Sequence, residues 1–241
     1  MPSFAALGAA LVAAASVVSA QSVSGKPEGF GSKATGGAGG KTVTPTTTEE
    51  LENYLTSSEA LTVVLAQTFD FRGTEGTASE KGCAPYGTDS ACQVAINKDD
   101  WCSNYQADAP SVDVKYDKAA LNPIQVKGDK TIIGDGQKGV LLGKGLRLAG
   151  GVSNVIIQNI AISELNPQYV WGGDAITLDG TSNVWVDHVA VRTPIKPISE
   201  SSTNNHTDFP RRSPAHRDRK RWQRRRNHLQ PLRQRQHQLV C

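Results

Sequence analysis

Three runs of β-branched residues recur along the chain, and this repeat restricts the possible folds more than any other feature. Residues 130–134, 154–158 and 183–187 each open on a polar residue, continue with apolar residues and close on a turn. Successive runs start about 24 and 29 residues apart. Strand repeats of roughly 20–50 residues are typical of solenoids, in which each coil adds one strand to each sheet. We therefore predict an all-β fold, a right-handed parallel β-helix.

An antiparallel sandwich is the alternative, but its turns come every 8–12 residues or so, which is shorter than this spacing. The segment before the repeat shows further elements. A Thr-x-x-Glu capping box at residues 46–50, followed by apolar residues at helical spacing, predicts a short N-terminal helix. Residues 61–65 and 68–71 are predicted as strands. The Gly/Ser/Lys-rich residues 25–40 are expected to form an extended, loosely held lead-in.

The first twenty residues predict a secretory signal peptide. Residues 4–20 are apolar and end in Val18-Ser19-Ala20, a small-x-small cleavage site. The segment before them carries no Lys or Arg, so an apolar N-terminus without a signal is the alternative. The run is too short for a spanning helix of about 20 residues, and we expect a secreted, extracellular protein with no membrane partner.

The composition changes beyond Arg192. Residues 1–209 carry 15 Lys and Arg against 22 Asp and Glu, whereas residues 210–241 carry 11 against 1. Gly180 is the last of 23 glycines. A disordered basic tail that binds nucleic acid or an acidic polymer is one interpretation, and a solvated linker is another. We favour a third, a shifted reading frame or retained intron, so residues 21–192 are predicted as an incomplete β-helix and 193–241 as an unrelated tail.

Four cysteines allow three disulfide pairings, and the sequence alone does not choose among them. Cys83, Cys92 and Cys102 lie within twenty residues of each other, and Cys241 ends the sequence. The group has no C-x-x-C pair and no nearby histidine, so we expect no metal site. The stretch from Cys83 to Tyr105 is rich in turn residues and is predicted to be a long stapled loop, which is often functional.

A candidate carbohydrate site lies near residue 174. Asp174 follows the pair Gly172-Gly173 at the start of an alternating strand, with Trp171 beside it. A carboxylate and an exposed aromatic ring at a sheet edge suit a sugar ligand. Turn capping by the aspartate is the ordinary alternative.

Three segments carry a family resemblance: residues 82–97, 101–106 and 166–176. Over residues 27–190 the chain resembles the fungal pectin lyases of the pectate lyase superfamily. The resemblance implies β-elimination of methyl-esterified polygalacturonan, in which a base removes the C5 proton and the C4 oxygen leaves. It implies no cofactor and a monomer whose partner is pectin, not nucleic acid.

The resemblance places Asp174 in the catalytic site. In related pectate lyases this position is a Ca²⁺ ligand, so a calcium-dependent pectate lyase is the alternative. The aromatic residues favour pectin lyase, because matching cleft positions hold Tyr86, Trp101, Tyr105 and Trp171. Tyr86 stands where a tryptophan is more usual. We also predict a Cys83–Cys102 disulfide; the family pairs Cys92 with a late cysteine whose match is missing here, so that partner stays open.

The chain departs from the family after residue 190. Arg192 is interpreted as a remnant of a catalytic strand, and Lys196 falls near the place of its second arginine. Asp187 and His188 resemble a catalytic pair, but the resemblance assigns them to a packed coil. We therefore expect an unstable chain with little or no lyase activity, and a non-catalytic pectin- or polyanion-binding protein is a further alternative. Asn205 begins a glycosylation sequon within the predicted tail at residues 193–241.

Overall fold

The computed structural model describes residues 21–87 and 92–192 of the 241-residue chain. These residues form two α-helices, α1 (Thr48–Thr56) and α2 (Trp101–Tyr105), with 3-10 turns at Gly29–Gly31, Lys98–Asp100 and Lys118–Leu121. The strands are β1 (Lys41–Val43), β2 (Leu61–Leu65), β3 (Thr68–Asp70), β4 (Thr77–Cys83), β5 (Val94–Ala95), β6 (Ser111–Asp117), β7 (Ile124–Gln125), β8 (Lys130–Gly134), β9 (Val140–Leu142), β10 (Leu146–Ala149), β11 (Ser153–Gln158), β12 (Ala161–Ser163), β13 (Tyr169–Val170), β14 (Ile176–Asp179), β15 (Ser182–Asp187) and β16 (Ala190–Arg192).

The chain passes through three parallel sheets in the same order on successive coils. The first sheet has the order β1-β2-β8-β11-β15, the second β3-β9-β12-β16 and the third β7-β10-β14. One coil therefore runs through β8, β9 and β10, and the next runs through β11, β12 and β14. All neighbouring strands in these sheets are parallel. The predicted parallel β-helix is confirmed, and the antiparallel sandwich is excluded.

A fourth sheet has the order β13-β5-β4-β6; β4, β5 and β6 lie between β3 and β7 in the chain, and β13 comes from the segment between β12 and β14. In it β4 is antiparallel to β5 and β6, while β5 is parallel to β13. The strand β5 and the helix α2 both fall within the predicted loop from Cys83 to Tyr105, so that prediction is only partly right. A two-residue strand and a five-residue helix are too short to show a periodic pattern.

The register of the repeat differs by one residue from the predicted one. Lys130 pairs with Val155, and Val155 pairs with Val184, so the partners lie 25 and 29 residues apart. A shift of one residue would turn every side chain to the opposite face of its strand. The observed register stacks Ile132 on Ile157 inside the coils, and both are fully buried. The spacing is therefore 25 residues, against the expected value of about 24.

Stacks of equivalent residues fill the interior of the coils. In the second sheet Phe69, Leu141 and Ile162 pair in register and are at most 1% exposed. In the third sheet Leu146 lies between Ile124 and Ile176 in the same way. Each coil therefore buries its apolar side chains against the next, and the core is one continuous cluster.

A lysine occupies one inward register position of the first sheet. Lys130 is fully buried, and its Nζ donates to the carbonyl oxygens of Ser57, Glu59 and Gly128 at 2.9, 2.6 and 3.1 Å. Burial lowers the pKa of Lys130, while the charge of Asp129 opposes that shift. The three carbonyls match the three donors of the ammonium group. The lysine therefore links the segment just after α1 to the residues just before β8.

The glycine-rich lead-in is held firmly, contrary to the prediction. We call residues 21–40 the N-terminal strap, because they lie across the outer face of the first sheet. Thr35 N and Gly36 N both donate to Asn154 Oδ1, at 2.7 and 2.8 Å. Gly37 N donates to Thr131 Oγ1 at 3.0 Å. These bonds fasten the strap to the strands β8 and β11.

The first residues of the strap are fastened at the C-terminal end of β11. Ser24 N donates to Gln158 Oε1 at 2.9 Å, and Gln158 Nε2 donates back to the Ser24 carbonyl at 2.7 Å. A Cβ at Gly37 would overlap the carbonyl of Leu61. Glycine is needed in the strap for close approach to the sheet rather than for flexibility.

The helix α1 begins as predicted. Thr47 Oγ1 accepts a hydrogen bond from Glu50 N at 3.1 Å. The Glu50 carboxylate accepts in return from Thr46 N at 2.7 Å. The reciprocal bond therefore reaches the residue before the cap rather than the cap itself, and the predicted helix start is confirmed.

Several predictions concern residues outside the described ranges. These are the signal peptide at 1–20, the tail at 193–241 with Lys196 and Cys241, and the sequon at Asn205. They stay predictions. Within residues 21–87 and 92–192, no helix combines the length and the apolar character needed to cross a membrane.

Candidate active site

One buried amide fixes the segment that carries the predicted site. Asn166 is 7% exposed, and its Oδ1 accepts a hydrogen bond from Asp117 N at 2.9 Å. Its Nδ2 donates to the carbonyl oxygens of Asp117 and Gly172, at 2.9 and 2.8 Å. Because both ends of the amide are satisfied, the segment from Asn166 to Gly172 is held in one conformation.

Trp171 presents an aromatic surface from a strained backbone. Its φ is 65°, in the left-handed region that a large side chain rarely adopts. Trp171 is 48% exposed, and its indole meets Trp101 edge to face, with ring centroids 5.8 Å apart. Strain of this kind concentrates at ligand sites, and an exposed indole packs well against the apolar face of a sugar ring.

The predicted Cys83–Cys102 disulfide is present and positions Trp101. Cys102 follows Trp101 on α2, and its N–H donates to Asn97 Oδ1 at 2.8 Å. Cys83, Ala95 and Cys102 form a small buried cluster against which Trp101 packs. The disulfide thus ties the helix that carries one indole to the end of β4. Among the described cysteines none is a free thiol.

Asp174 lies two residues before β14 and is exposed. Thr177 Oγ1 donates to its Oδ2 at 3.2 Å. Glycines allow the chain to reach this point: a Cβ at Gly173, where φ is 133°, would overlap the Ala120 carbonyl. A Cβ at Gly145 on the preceding coil would overlap the carbonyl of Asp174 itself. The position of Asp174 is therefore set by backbone packing between coils.

Among the described residues, the remaining two predicted aromatic residues make no ring contact with this pair. Tyr105 ends α2, four residues after Trp101 and on the same side of the helix, and is 72% exposed. Tyr86 is half-buried in the turn after β4. Within the described residues, the pair of Trp101 and Trp171 makes the one ring-to-ring contact. Two of the four aromatic residues are therefore brought together, and one of them, Trp171, lies shortly before Asp174 in the chain.

The outward face of the third sheet carries polar residues that the sequence analysis missed. Arg147 on β10 pairs in register with Thr177 on β14 and with Gln125 on β7. Arg147 Nη2 lies 2.8 Å from Asp179 Oδ2. Alternation at residues 146–148 was the available signal, because two buried leucines flank the arginine. Its partner lies 32 residues away and could not be read from that pattern.

Asp187 and His188 make contacts that support the structural role predicted for them. Gln158 Nε2 donates to Asp187 Oδ2 at 2.8 Å, and His188 Nδ1 lies 2.8 Å from the same oxygen. These bonds, with that of Gln158 the larger, lower the pKa of the Asp187 carboxyl. Since Gln158 also holds Ser24, the carboxylate helps to fasten the N-terminal strap.

Arg192 ends β16 in the second sheet, where it pairs in register with Ser163. It therefore shares no sheet with β14, the strand that follows Asp174. Lys196 lies outside the described residues. Within those residues, no group of three or more His, Cys, Asp or Glu side chains is arranged to hold a metal ion.

The parallel coils, together with Asp174 and the contact between Trp101 and Trp171, define a parallel β-helix protein with a candidate carbohydrate site. A sequence profile described as "Pectate lyase" matches residues 3–207. The chain belongs to the pectate lyase family. This match continues beyond Arg192, whereas the resemblance found in the sequence analysis stopped near residue 190.

The curated relatives include fungal pectin lyases. Pectin lyase B of Emericella nidulans is 60% identical over 179 residues, which are 74% of this chain and 47% of that protein. The pectin lyase of Colletotrichum gloeosporioides is 60% identical over 184 residues, 76% of this chain and 48% of that one. Pectin lyase 2 of Aspergillus oryzae is 58% identical over 186 residues, 77% and 50% of the two chains. The chain spans about half the length of the curated relatives it matches.

Solved structures with a similar fold include bacterial pectate lyases. One from Bacillus sp. N165, in complex with trigalacturonate, gives a TM-score of 0.40 at 23% identity and covers 69% of this chain and 43% of that chain. A variant of the Bacillus subtilis pectate lyase gives 0.42 at 18% identity, with 76% and 52% covered. The fold assignment rests on the parallel coils described above.

Proposed function

We propose that this chain acts as a pectin lyase, which cleaves methyl-esterified (1→4)-α-D-galacturonan by β-elimination. The observation that carries the proposal is the 60% identity to proteins named as pectin lyases. Secretion and a monomeric state are part of the proposal. In this reaction the C5–H and C4–O bonds break, a C4–C5 double bond forms, a base takes the C5 proton and the leaving oxygen gains one.

The candidate site fits this substrate. A methyl ester is neutral and apolar, and the exposed Trp171, with the half-buried Trp101 in contact with it, suits it better than a cation would. We assign Trp101, Trp171, Tyr86 and Tyr105 to substrate binding. Asp174 is assigned to the reacting sugar, because it is exposed and its carboxylate is oriented by Thr177.

We expect slow turnover by this chain. The C5 proton is weakly acidic, so the enolate needs positioned positive charge and the proton needs a base. Arg192, one candidate from the sequence, lies in the second sheet rather than beside β14. Removal of a positioned proton-transfer group typically lowers a rate by roughly 10²- to 10⁴-fold.

Binding and elimination should be measured together. The full 241-residue chain is titrated with methyl-esterified and free oligogalacturonates of one length, with and without a chelator. In a second assay it is incubated with methyl-esterified or with de-esterified pectin, and the absorbance of the new double bond is followed. We expect tighter binding of the esterified form and no effect of chelator. Unsaturated product should form slowly with the wild type and not at all with Asp174→Asn. Tyr54→Phe, on α1, is the matched control. Binding of the free form alone, lost with chelator, would identify a calcium-dependent pectate lyase instead.

A further inference from the structure

We propose that Arg147 is a specificity residue that binds the carboxyl group of a galacturonate unit, and that Asp179 makes this position prefer the methyl ester. The inference rests on the proposed function and goes beyond it, because neither residue belongs to the aromatic pair or to Asp174. Both lie on the outward face of the third sheet.

The placement of Arg147 relative to Asp174 follows from the strand register. Arg147 is directly opposite Thr177 on the neighbouring parallel strand, and such strands lie about 4.8 Å apart. Thr177 in turn donates to the carboxylate of Asp174 at 3.2 Å. A sugar chain that contacts Asp174 therefore passes over the strand beside Arg147.

The guanidinium has donors left for a ligand. It carries five N–H donors, and the bond to Asp179 uses Nη2. Within the described residues, Nε and Nη1 of Arg147 make no hydrogen bond to the protein. The Arg147 side chain is 35% exposed, so these donors can reach solvent. A planar fork of this kind binds a carboxyl group through two parallel hydrogen bonds.

Asp179 supplies the discrimination. Its carboxylate is 65% exposed and lies 2.8 Å from Arg147 Nη2. The negative charge of Asp179 would repel a free galacturonate carboxylate that approached Arg147. A methyl ester carries no net charge and would not be repelled in this way. The ion pair therefore offers hydrogen-bond donors without net charge, which suits a neutral ester.

The test measures binding of methyl-esterified and free oligogalacturonates of one length to the full chain by calorimetry. Arg147→Gln should weaken binding of the ester by roughly tenfold, the size expected for loss of a hydrogen bond to a charged group. Asp179→Asn should leave the ester within about twofold and strengthen binding of the free form several-fold, since it removes the repelling charge.

A second arginine–aspartate pair provides matched controls. Arg72 Nη2 lies 2.7 Å from Asp70 Oδ2 in and just after β3, with side chains 48% and 46% exposed. Arg72→Gln and Asp70→Asn should change neither affinity. Arg147→Lys keeps the positive charge but lacks the paired N–H donors of the guanidinium, so it should lose part of the ester affinity. This variant tests the role of Arg147 if Arg147→Gln fails to fold.

The outcomes separate the two proposals. A wild-type chain that prefers the ester, with an unchanged preference in all variants at residues 147 and 179, would overturn the role of Arg147 and leave the proposed function intact. A wild-type chain that binds neither ligand would overturn both.

Discussion

The ammonium of Lys144 lies 2.6 Å from the carboxylate of Glu75, and it also lies 2.8 Å from that of Glu52 on α1. The lysine side chain is 10% exposed and stands 5.4 Å from the centre of the Phe71 ring. Burial acts to lower the pKa of Lys144, but the two glutamates reverse this and raise it. This cluster joins the helix, the turn after β3 and the link between β9 and β10.

Replacement of Lys144 should be costly. Lys144→Met removes the charge that both glutamates face, and we expect a loss of about 2 kcal/mol in the free energy of unfolding. The estimate lies below the roughly 3–5 kcal/mol typical of a fully buried pair, because Glu52 and Glu75 are about a third exposed. Urea unfolding at pH 7 measures it. Lys81→Met, which breaks the exposed pair with Asp113, should cost less than about 0.5 kcal/mol.

The same cluster predicts a pH dependence. Burial acts to raise the pKa of Glu75, but bonds from Lys144 and Asn122 outweigh it, so the pKa lies below its ordinary value of 4.5. The contribution of this carboxylate to stability is therefore present above pH 4.5 and is lost as the pH falls through the folded-state pKa. Urea midpoints from pH 7 to pH 3 should fall more steeply for the wild type than for Lys144→Met. Parallel curves would contradict the assignment.

Loss of one indole should weaken binding without unfolding the chain. Trp171→Ala removes an aromatic surface that is 48% exposed, and we expect roughly tenfold weaker binding of methyl-esterified oligogalacturonate. The melting temperature should change little, because Trp171 is already exposed. Trp185→Phe is the matched control, since Trp185 lies on β15 and packs near Gly25 of the N-terminal strap. Equal affinities for wild type and Trp171→Ala would remove Trp171 from the site.

A methyl group at Gly145 should displace Asp174. Gly145→Ala places a Cβ against the Asp174 carbonyl, and we expect a loss of about 1–3 kcal/mol together with several-fold weaker ligand binding. Gly136→Ala separates the two effects. Gly136 has a φ of 59° and open space around it, so alanine there should cost about 1 kcal/mol and leave binding unchanged. Calorimetry and urea unfolding on both variants provide the comparison.

The disulfide should matter for both stability and binding. Cys83 and Cys102 are separated by 19 residues, and loss of the bond in a Cys83→Ser, Cys102→Ser variant should cost about 3 kcal/mol. Trp101 adjoins Cys102, so the affinity for esterified ligand should fall as well. Thermal unfolding and calorimetry report the two effects separately. A stable variant with normal affinity would show that α2 is held by its other contacts.

The sequence repeat predicted the coils because each coil buries equivalent apolar residues against those of its neighbour. Residues 154–158 and 183–187 are 29 residues apart in the sequence and pair at that spacing. The register of residues 130–134 was less accessible. That strand is buried on both faces, by the core and by the N-terminal strap, so its apolar residues do not alternate. Without alternation, a one-residue error in register leaves the sequence pattern unchanged.

Composition alone could not reveal the strap. Glycine-rich sequence is typical of flexible linkers, yet here the same residues allow a close approach to Leu61 and Asn154. The aromatic site was found through the family resemblance, which supplied Trp101 and Trp171 from distant parts of the chain. The partnership of Arg147 and Asp179 required the coil register and the position of both strands in the third sheet.

The N-terminal strap also fixes an order of events during synthesis. Ser24 leaves the ribosome 134 residues before its partner Gln158, and Thr35 leaves 119 residues before Asn154. The segment made first must therefore wait without its partners until two further coils have emerged and paired. Contacts of such high sequence separation form late and slowly. Closure of the first sheet is completed from the oldest end of the nascent chain, not from its newest.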